Sequence, residues 1–244
     1  MLISEALETV GTFSQELRDT KIKLNTVSWY PYDSLSNVPL MKRAVSGNDI
    51  DVRSVLDVGP ADGDIAFLFA RAGCSVSAIE LESTNFNSGN ALLTLNAALG
   101  NRVGVRFCDV DFGFSLAHDY DLCVATGIAY HLRNPMLFYI TLAQHCRYLI
   151  TNTRVIDEVD SGMAIGNQPL AYILECRECN DDPTNWWLFT PAAYLRVLTR
   201  CGWHVKNHFS VGASVGNARE ADKRMWAFCE RVPNYADLRK HHDF

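Results

Sequence analysis

The segment Ser54-Val55-Leu56-Asp57-Val58, running directly into Gly59-Pro60-Ala61-Asp62-Gly63, constrains this chain more than any other. A short apolar run ending in glycines reads as a buried strand. The following Asp64 to Ala72, stopped by Gly73, reads as a helix with a favoured C-terminal glycine. A buried strand that turns sharply into a helix leaves N–H groups free at the helix start. The small residues Gly59, Ala61 and Gly63 let a ligand approach that backbone closely. Strand Ser75 to Ile79 completes a strand, helix, strand unit.

The alternation continues with a helix ending near Gly100, strands Val103 to Cys108 and Asp121 to Ala125, a helix from Met136 to Cys146 and a strand from Tyr148 to Asn152. Pro191 suits the first turn of a helix over Ala192 to Arg200, closed at Gly202. The apolar segments Trp203 to Val211 and Met225 to Val232 read as a terminal antiparallel pair. Strands separated by helices predict an α/β fold, a Rossmann-like doubly wound, mostly parallel seven-stranded sheet with an antiparallel last strand. Residues 1–46 read as an N-terminal helical cap. Its first helix is marked by Leu7, Val10, Phe13 and Leu17 near helical spacing, and the aromatic cluster Trp29-Tyr30-Pro31-Tyr32 follows. Residues 47–244 form the main domain. Its stretch of about 154–190, rich in Gly, Asn, Asp and Pro, reads as a loop-rich insertion.

The formal charge of −6 disfavours broad binding to a phosphate backbone, which draws its free energy from clustered Lys and Arg. No apolar run approaches the roughly 18–20 residues of a membrane span. Glu5, Glu8 and Glu16 also occupy the N-terminus where a signal peptide needs basic, then apolar, residues, so a cytoplasmic protein without membrane partners is expected. Eight cysteines scattered through apolar stretches fit reduced core thiols. Cys176 and Cys179 have metal-like spacing, but a four-coordinate zinc needs two more ligands and no matching pair stands at diagnostic spacing, so no metal site is expected.

The carboxylates Asp57, Asp62 and Asp64 around the glycine turn favour a cationic sulfonium cofactor over a diphosphate. The dinucleotide pattern Gly-x-Gly-x-x-Gly is met at its third position only by Ala66. Glu80, at the end of the second strand, offers two acceptor oxygens for ribose hydroxyls. Asp109, at the end of the third, suits an adenine amino group, and Val110 and Thr126 at neighbouring strand ends complete the candidate cofactor contacts. His131 follows the fourth strand, where an imidazole is suited to removing a proton or, equally, to anchoring the loop. Trp29, Tyr30, Tyr32 and Tyr130 are candidate substrate-site walls or ordinary packing residues. Arg133, with Arg154, is a candidate carboxylate or phosphate binder or a solvated surface charge. Trp186, Trp187 and Phe189 offer an acceptor wall or bury the helix that follows.

Val55 to Gly63, with Glu80 and Asp109, resembles the class I S-adenosylmethionine-dependent methyltransferases, with Ala61 in place of the usual middle glycine. The resemblance implies ribose binding by Glu80 and adenine contact by Asp109. Thr126-Gly127-Ile128-Ala129-Tyr130-His131-Leu132-Arg133-Asn134-Pro135 is similar to the Gly-x-x-Tyr-His-x-Arg-x-Pro stretch of the tRNA uridine-34 carboxymethyltransferase-like branch, and Trp29-Tyr30-Pro31-Tyr32 adds to that likeness. The chain is shorter than those tRNA enzymes and acidic. The expected function is therefore transfer of a methyl group from S-adenosyl-L-methionine to an oxygen or nitrogen of a small-molecule acceptor. Its alternatives are a tRNA wobble-uridine carboxymethyl- or methyltransferase and a non-catalytic S-adenosylmethionine-binding module.

Overall fold

A computed structural model describes residues 1–159, 161–213 and 222–233. The expected main domain runs on through 234–244, which lie outside the described residues. The chain divides into two compact units, the first comprising Met1–Asp109 with Tyr120–Val124, the second Val110–Asp119 with the chain from Ala125.

In the first unit, helices α1 (Ile3–Glu8), α2 (Val10–Lys23) and α3 (Val38–Val45) precede strand β1 (Ser54–Val58). The single amphipathic helix expected at the N-terminus is broken at Thr9, whose hydroxyl donates to the Ala6 carbonyl at 2.7 Å, a local bond that competes with the helical ladder. Leu7, Phe13 and Leu17 are nonetheless all buried. Helix α4 (Asp64–Arg71) and strand β2 (Ser75–Glu80) follow, then helix α5 (Asn90–Ala98) and strand β3 (Val103–Phe107). Strand β4 (Tyr120–Thr126) returns to pair with β1 in parallel, with Leu56 opposite Cys123; β1 pairs with β2 and β2 with β3, also in parallel. Val55, Leu56 and Val58 are all buried, as a strand covered on both faces requires, which explains why this segment reads as a continuous apolar run.

In the second unit, helix α6 (Pro135–His145) leads without a loop into strand β5 (Cys146–Arg154). Short strands β6 (Ala171–Ile173) and β7 (Trp187–Phe189) pair antiparallel, so the stretch expected to be loop-rich carries a small sheet of its own. Its apolar residues are spaced too singly to show periodicity, yet Ile156, Ile165, Leu174, Cys179 and Leu188 meet in one buried cluster. Helix α7 (Pro191–Arg200) is capped by Thr190, whose hydroxyl accepts from the Ala193 N–H at 3.2 Å. Strands β8 (Trp203–Val211) and β9 (Arg224–Arg231) close the chain, with β9 antiparallel to both β5 and β8. A buried hydroxyl cluster ties these elements together. Tyr139 and Tyr194 share a 2.7 Å bond, and the Thr151 hydroxyl bridges both at 3.0 and 2.9 Å while donating to the Ala125 carbonyl.

The seven long strands follow the order β3-β2-β1-β4-β5-β9-β8, a mostly parallel Rossmann-like sheet with its last strand antiparallel. Among the described residues, no helix is long and apolar enough to cross a membrane.

Candidate active site

The turn after β1 is built from three left-handed backbones, at Gly59 (φ 71°), Ala61 (φ 55°) and Gly63 (φ 92°). Gly63 admits no side chain even apart from its φ, since a Cβ there would lie 2.5 Å from Leu92 Cδ1 and 2.7 Å from Phe67 Cε2, both in buried residues. At Ala61 a left-handed conformation costs roughly 1–2 kcal/mol. What holds it is Glu80: one carboxylate oxygen accepts the Ala61 N–H at 2.8 Å, and the other accepts the Leu81 N–H at 2.8 Å. Two residues read separately from the sequence as cofactor contacts are thus one assembly, the strand-end carboxylate fixing the loop. Each Glu80 oxygen accepts one of these bonds and retains acceptor capacity, as a pair of ribose hydroxyls would need. Burial pushes the Glu80 carboxyl above the usual range, while its bonds to Leu81, Ala61 and Asn85 pull it back.

The charge of the loop differs from the sequence expectation. Asp57 is 3 % exposed, and burial, with Glu80 adding repulsion, raises its carboxyl to about 8, so it is protonated at neutral pH. Lys21 of α2 lies 2.8 Å from Asp64 and 3.5 Å from Asp62. Asp62 also accepts the Tyr30 N–H at 2.8 Å and the Asn87 amide at 2.9 Å. Asp57 is thus neutral, while Asp62 and Asp64 share the single charge of Lys21, so the turn carries less negative charge than its three carboxyls suggest but is not neutralised. The fit to an adenosyl cofactor rests chiefly on Glu80 and the open backbone of the turn.

The aromatic cluster sits beside this same turn through the Tyr30 N–H. Lys21 Nζ lies 5.1 Å from the Trp29 ring, Tyr30 packs against Tyr32 and Phe86 at 5.4 and 6.2 Å between centroids, and Tyr32 and Phe86 are exposed. Asn85 and Asn87, which no sequence pattern singled out, hold the segment after β2. Asn85 accepts the Asn87 and Gly89 N–H groups, and Asn87 reaches both the Ser28 carbonyl and Asp62. Asp109 follows β3 half-buried, and the Cys108 N–H before it donates to the Glu80 carbonyl at 2.9 Å.

In the second unit, Val110 is buried at the start of a short 3-10 turn, Val110–Phe112. Thr126 ends β4, and Gly127 after it adopts φ 74° and donates to Asn152. Tyr130 is buried, with its ring 4.1 Å from that of His131; the Arg154 and Arg224 guanidinium carbons lie 5.5 and 5.7 Å from the Tyr130 ring centre. Arg154 and Arg224 also flank Asp222, at 3.1 and 3.7 Å. Arg133 is half-exposed and engaged by a residue that the sequence did not flag: its Nε donates to Asp111 at 2.7 Å, and it stacks over Phe112. Trp186 and Trp187 frame the turn that contains Tyr130, the first donating its N–H to the Tyr130 carbonyl at 2.8 Å, the second its indole N–H to Leu132 at 2.9 Å. Cys176 is exposed and Cys179 buried, and among the described residues none of the eight cysteines is in a disulfide. Among the described residues, no three His, Cys, Asp or Glu side chains group as metal ligands would.

His131 is partly buried, and its Nδ1 lies 2.8 Å from the Thr184 hydroxyl. Burial lowers its pKa, Asp182 and the Thr184 backbone raise it in part, and Arg154 and Arg224 lower it further. The net effect is a neutral imidazole at physiological pH, the state able to take up a proton.

The chain has a Rossmann-like methyltransferase fold, and solved structures are similar to it in fold. The N-terminal domain of EvdMO1, crystallised in the presence of SAH and D-fucose, is 15% identical with a TM-score of 0.56, covering 90% of this chain and 96% of its own. A putative methyltransferase from Bacillus halodurans C-125 is 14% identical with a TM-score of 0.59, covering 80% of this chain and 97% of its own. Magnesium protoporphyrin IX methyltransferase from Synechocystis PCC 6803, with bound SAH, is 14% identical with a TM-score of 0.55, covering 81% and 82%. No protein-family model and no curated protein sequence matches the chain.

Proposed function

We propose that this protein is an S-adenosylmethionine-dependent methyltransferase acting on an oxygen or nitrogen of a small-molecule acceptor. The observation that carries the reading is the Glu80 carboxylate locked to the Ala61 N–H at the mouth of a left-handed glycine turn, on a sheet of methyltransferase order. In this reading the turn from Asp57 to Gly63 and Glu80 bind the adenosyl end and Asp109 meets the adenine, with Val110 and Thr126 as further candidate cofactor contacts. When bound, the cofactor supplies an electrophilic methyl carbon on a sulfonium. His131 takes the proton that the acceptor releases, through the ring nitrogen left open by its Thr184 bond. Tyr130, and separately the cluster Trp29, Tyr30 and Tyr32, are candidate acceptor contacts, and Arg133 is available to an anionic acceptor group through the exposed part of its guanidinium.

Calorimetric titration with S-adenosylmethionine tests the cofactor. Glu80→Ala is expected to weaken binding at least tenfold, the ~1.4 kcal/mol or more of a lost charge-assisted bond. Binding undiminished by this change refutes the assignment. A radiolabelled methyl group traced into metabolite pools and into tRNA then separates the small-molecule reading from the tRNA reading, for which the Tyr130-His131 stretch speaks. A binding module without turnover would bind S-adenosylmethionine and label neither.

A further inference from the structure

The stretch Cys179–Asn185 is folded by its own side chains into a bracket around the inner nitrogen of His131. Asp182 Oδ1 accepts both the Thr184 N–H at 2.8 Å and the Thr184 hydroxyl at 2.6 Å. The Thr184 hydroxyl has one proton, and at that distance the carboxylate holds it, so the oxygen faces His131 Nδ1 at 2.8 Å as an acceptor. A second bond points the same way: the Thr184 carbonyl, which has no proton to give, lies 3.3 Å from the same Nδ1. Both contacts are satisfied only when Nδ1 carries the hydrogen. Among the described residues Nε2 makes no hydrogen bond.

We infer that Thr184, backed by Asp182, is a positioning residue that holds neutral His131 as its Nδ1–H tautomer and so leaves the Nε2 lone pair as the proton acceptor. This rests on the methyltransferase reading for its use but not for its geometry. In the transfer the acceptor's lone pair forms the new bond to the methyl carbon as the carbon–sulfur bond breaks. The sulfur keeps that electron pair and becomes a neutral thioether, and the acceptor's proton moves to His131 Nε2. The resulting imidazolium keeps its Nδ1–H on Thr184, within reach of the Asp182 charge, until Nε2 returns the proton to water. The order carboxylate, hydroxyl, imidazole does through one intervening side chain what a carboxylate bonded directly to a histidine does in other sites. The other charged groups around the imidazole are Arg154 and Arg224, whose effect opposes that of Asp182.

The test uses the full chain with nitrogen-15-labelled histidine, the His131 ring being assigned by its loss in His131→Asn. Long-range nitrogen–proton spectra at neutral pH are expected to show Nδ1 protonated and Nε2 bare. Thr184→Val, which keeps shape and removes the hydroxyl acceptor at 2.8 Å while leaving only the backbone carbonyl at 3.3 Å, is expected to shift the ring partly toward Nε2–H, the form neutral imidazole prefers without a partner, and Thr184→Ser is expected to restore it. Asp182→Ala, which frees the hydroxyl proton to turn toward Nδ1, is expected to shift the ring in the same direction as Thr184→Val and serves if that variant fails to fold. A His131 that is Nε2–H in the parent protein, or a tautomer unmoved in both folded variants, overturns the inference. Titration with S-adenosylmethionine in the same samples keeps the outcomes apart: absent binding defeats the proposed function while leaving the tautomer result standing.

Discussion

At the scale of single residues, Asp57 governs how the candidate cofactor turn answers to pH. Its carboxyl moves from 3.8 to about 8 because it is buried beside Glu80. Between about pH 4 and 8 the unfolded chain has released this proton while the fold keeps it. Its contribution to stability is thus complete below pH 4 and is lost as pH rises through 8. Urea unfolding at pH 5 and pH 7.5 is expected to show the parent protein losing stability across that interval, and Asp57→Asn is expected to flatten the dependence. An unchanged slope would mean that Asp57 is ionised in the fold. The residues of the turn were legible in the sequence because small side chains and a strand-end acid are visible as letters. Ala61 in a left-handed conformation was not, because nothing local distinguishes it from an ordinary alanine until Glu80, 19 positions away, takes its N–H. The three-carboxylate charge argument overstated the negative charge for the same reason, since Lys21, from a different helix, offsets part of it and burial holds Asp57 protonated.

Between elements, two contacts carry testable weight. Lys21 anchors α2 to the start of α4 through Asp64, whose side chain is only 5% exposed. Burial already pushes the Asp64 carboxyl up, and Lys21 is the largest influence pulling it back. Lys21→Met is expected to destabilise the protein by about 3 kcal/mol, because an acid is left buried without its partner. Adding Asp64→Asn is expected to recover a large share of that loss, and a thermal-denaturation double-mutant cycle measures the coupling. The Tyr139, Thr151 and Tyr194 hydroxyls make the corresponding knot among α6, β5 and α7. Thr151→Val keeps the shape but removes the hydroxyl bond to the Ala125 carbonyl and loosens both phenols, a loss of roughly 1–3 kcal/mol by chemical denaturation. Strands and helices with dense apolar patterns were readable to within a few residues. Strands β6 and β7 were not, because three-residue strands have no period, and Leu188 of β7 is buried against residues as distant in sequence as Ile156 and Ile165. The Asp182-Pro183-Thr184 bracket lay hidden in that same stretch. An Asp two positions before a Thr is a known turn signal, but its bond to His131 spans 53 positions.

For the molecule as a whole, a ligand that binds only the folded state adds stability by mass action. S-adenosylmethionine at a hundred times its Kd adds about 2.7 kcal/mol, which for a chain of this size raises Tm by roughly 5–10 °C. Differential scanning measures it, and Glu80→Ala is expected to need a higher cofactor concentration for the same shift. The formal charge of −6 argues against a broad tRNA footprint, so tRNA association is expected to stay in the weak, steeply salt-dependent range of roughly 10⁻⁴–10⁻⁶ M.

The cysteine distribution gives this protein a built-in handle for spectroscopy. Cys176 is exposed, Cys108 is partly covered and the other six thiols are buried; burial raises Cys201 to about 12 and Cys74, Cys179 and Cys229 above their usual value as well. A thiol-reactive dye offered briefly near neutral pH therefore reacts first at Cys176, eight positions before Thr184, with no cysteine having to be engineered in or out. Its fluorescence would report in real time whether the bracket around His131 shifts as cofactor and acceptor arrive, including for acceptors whose products have yet to be identified.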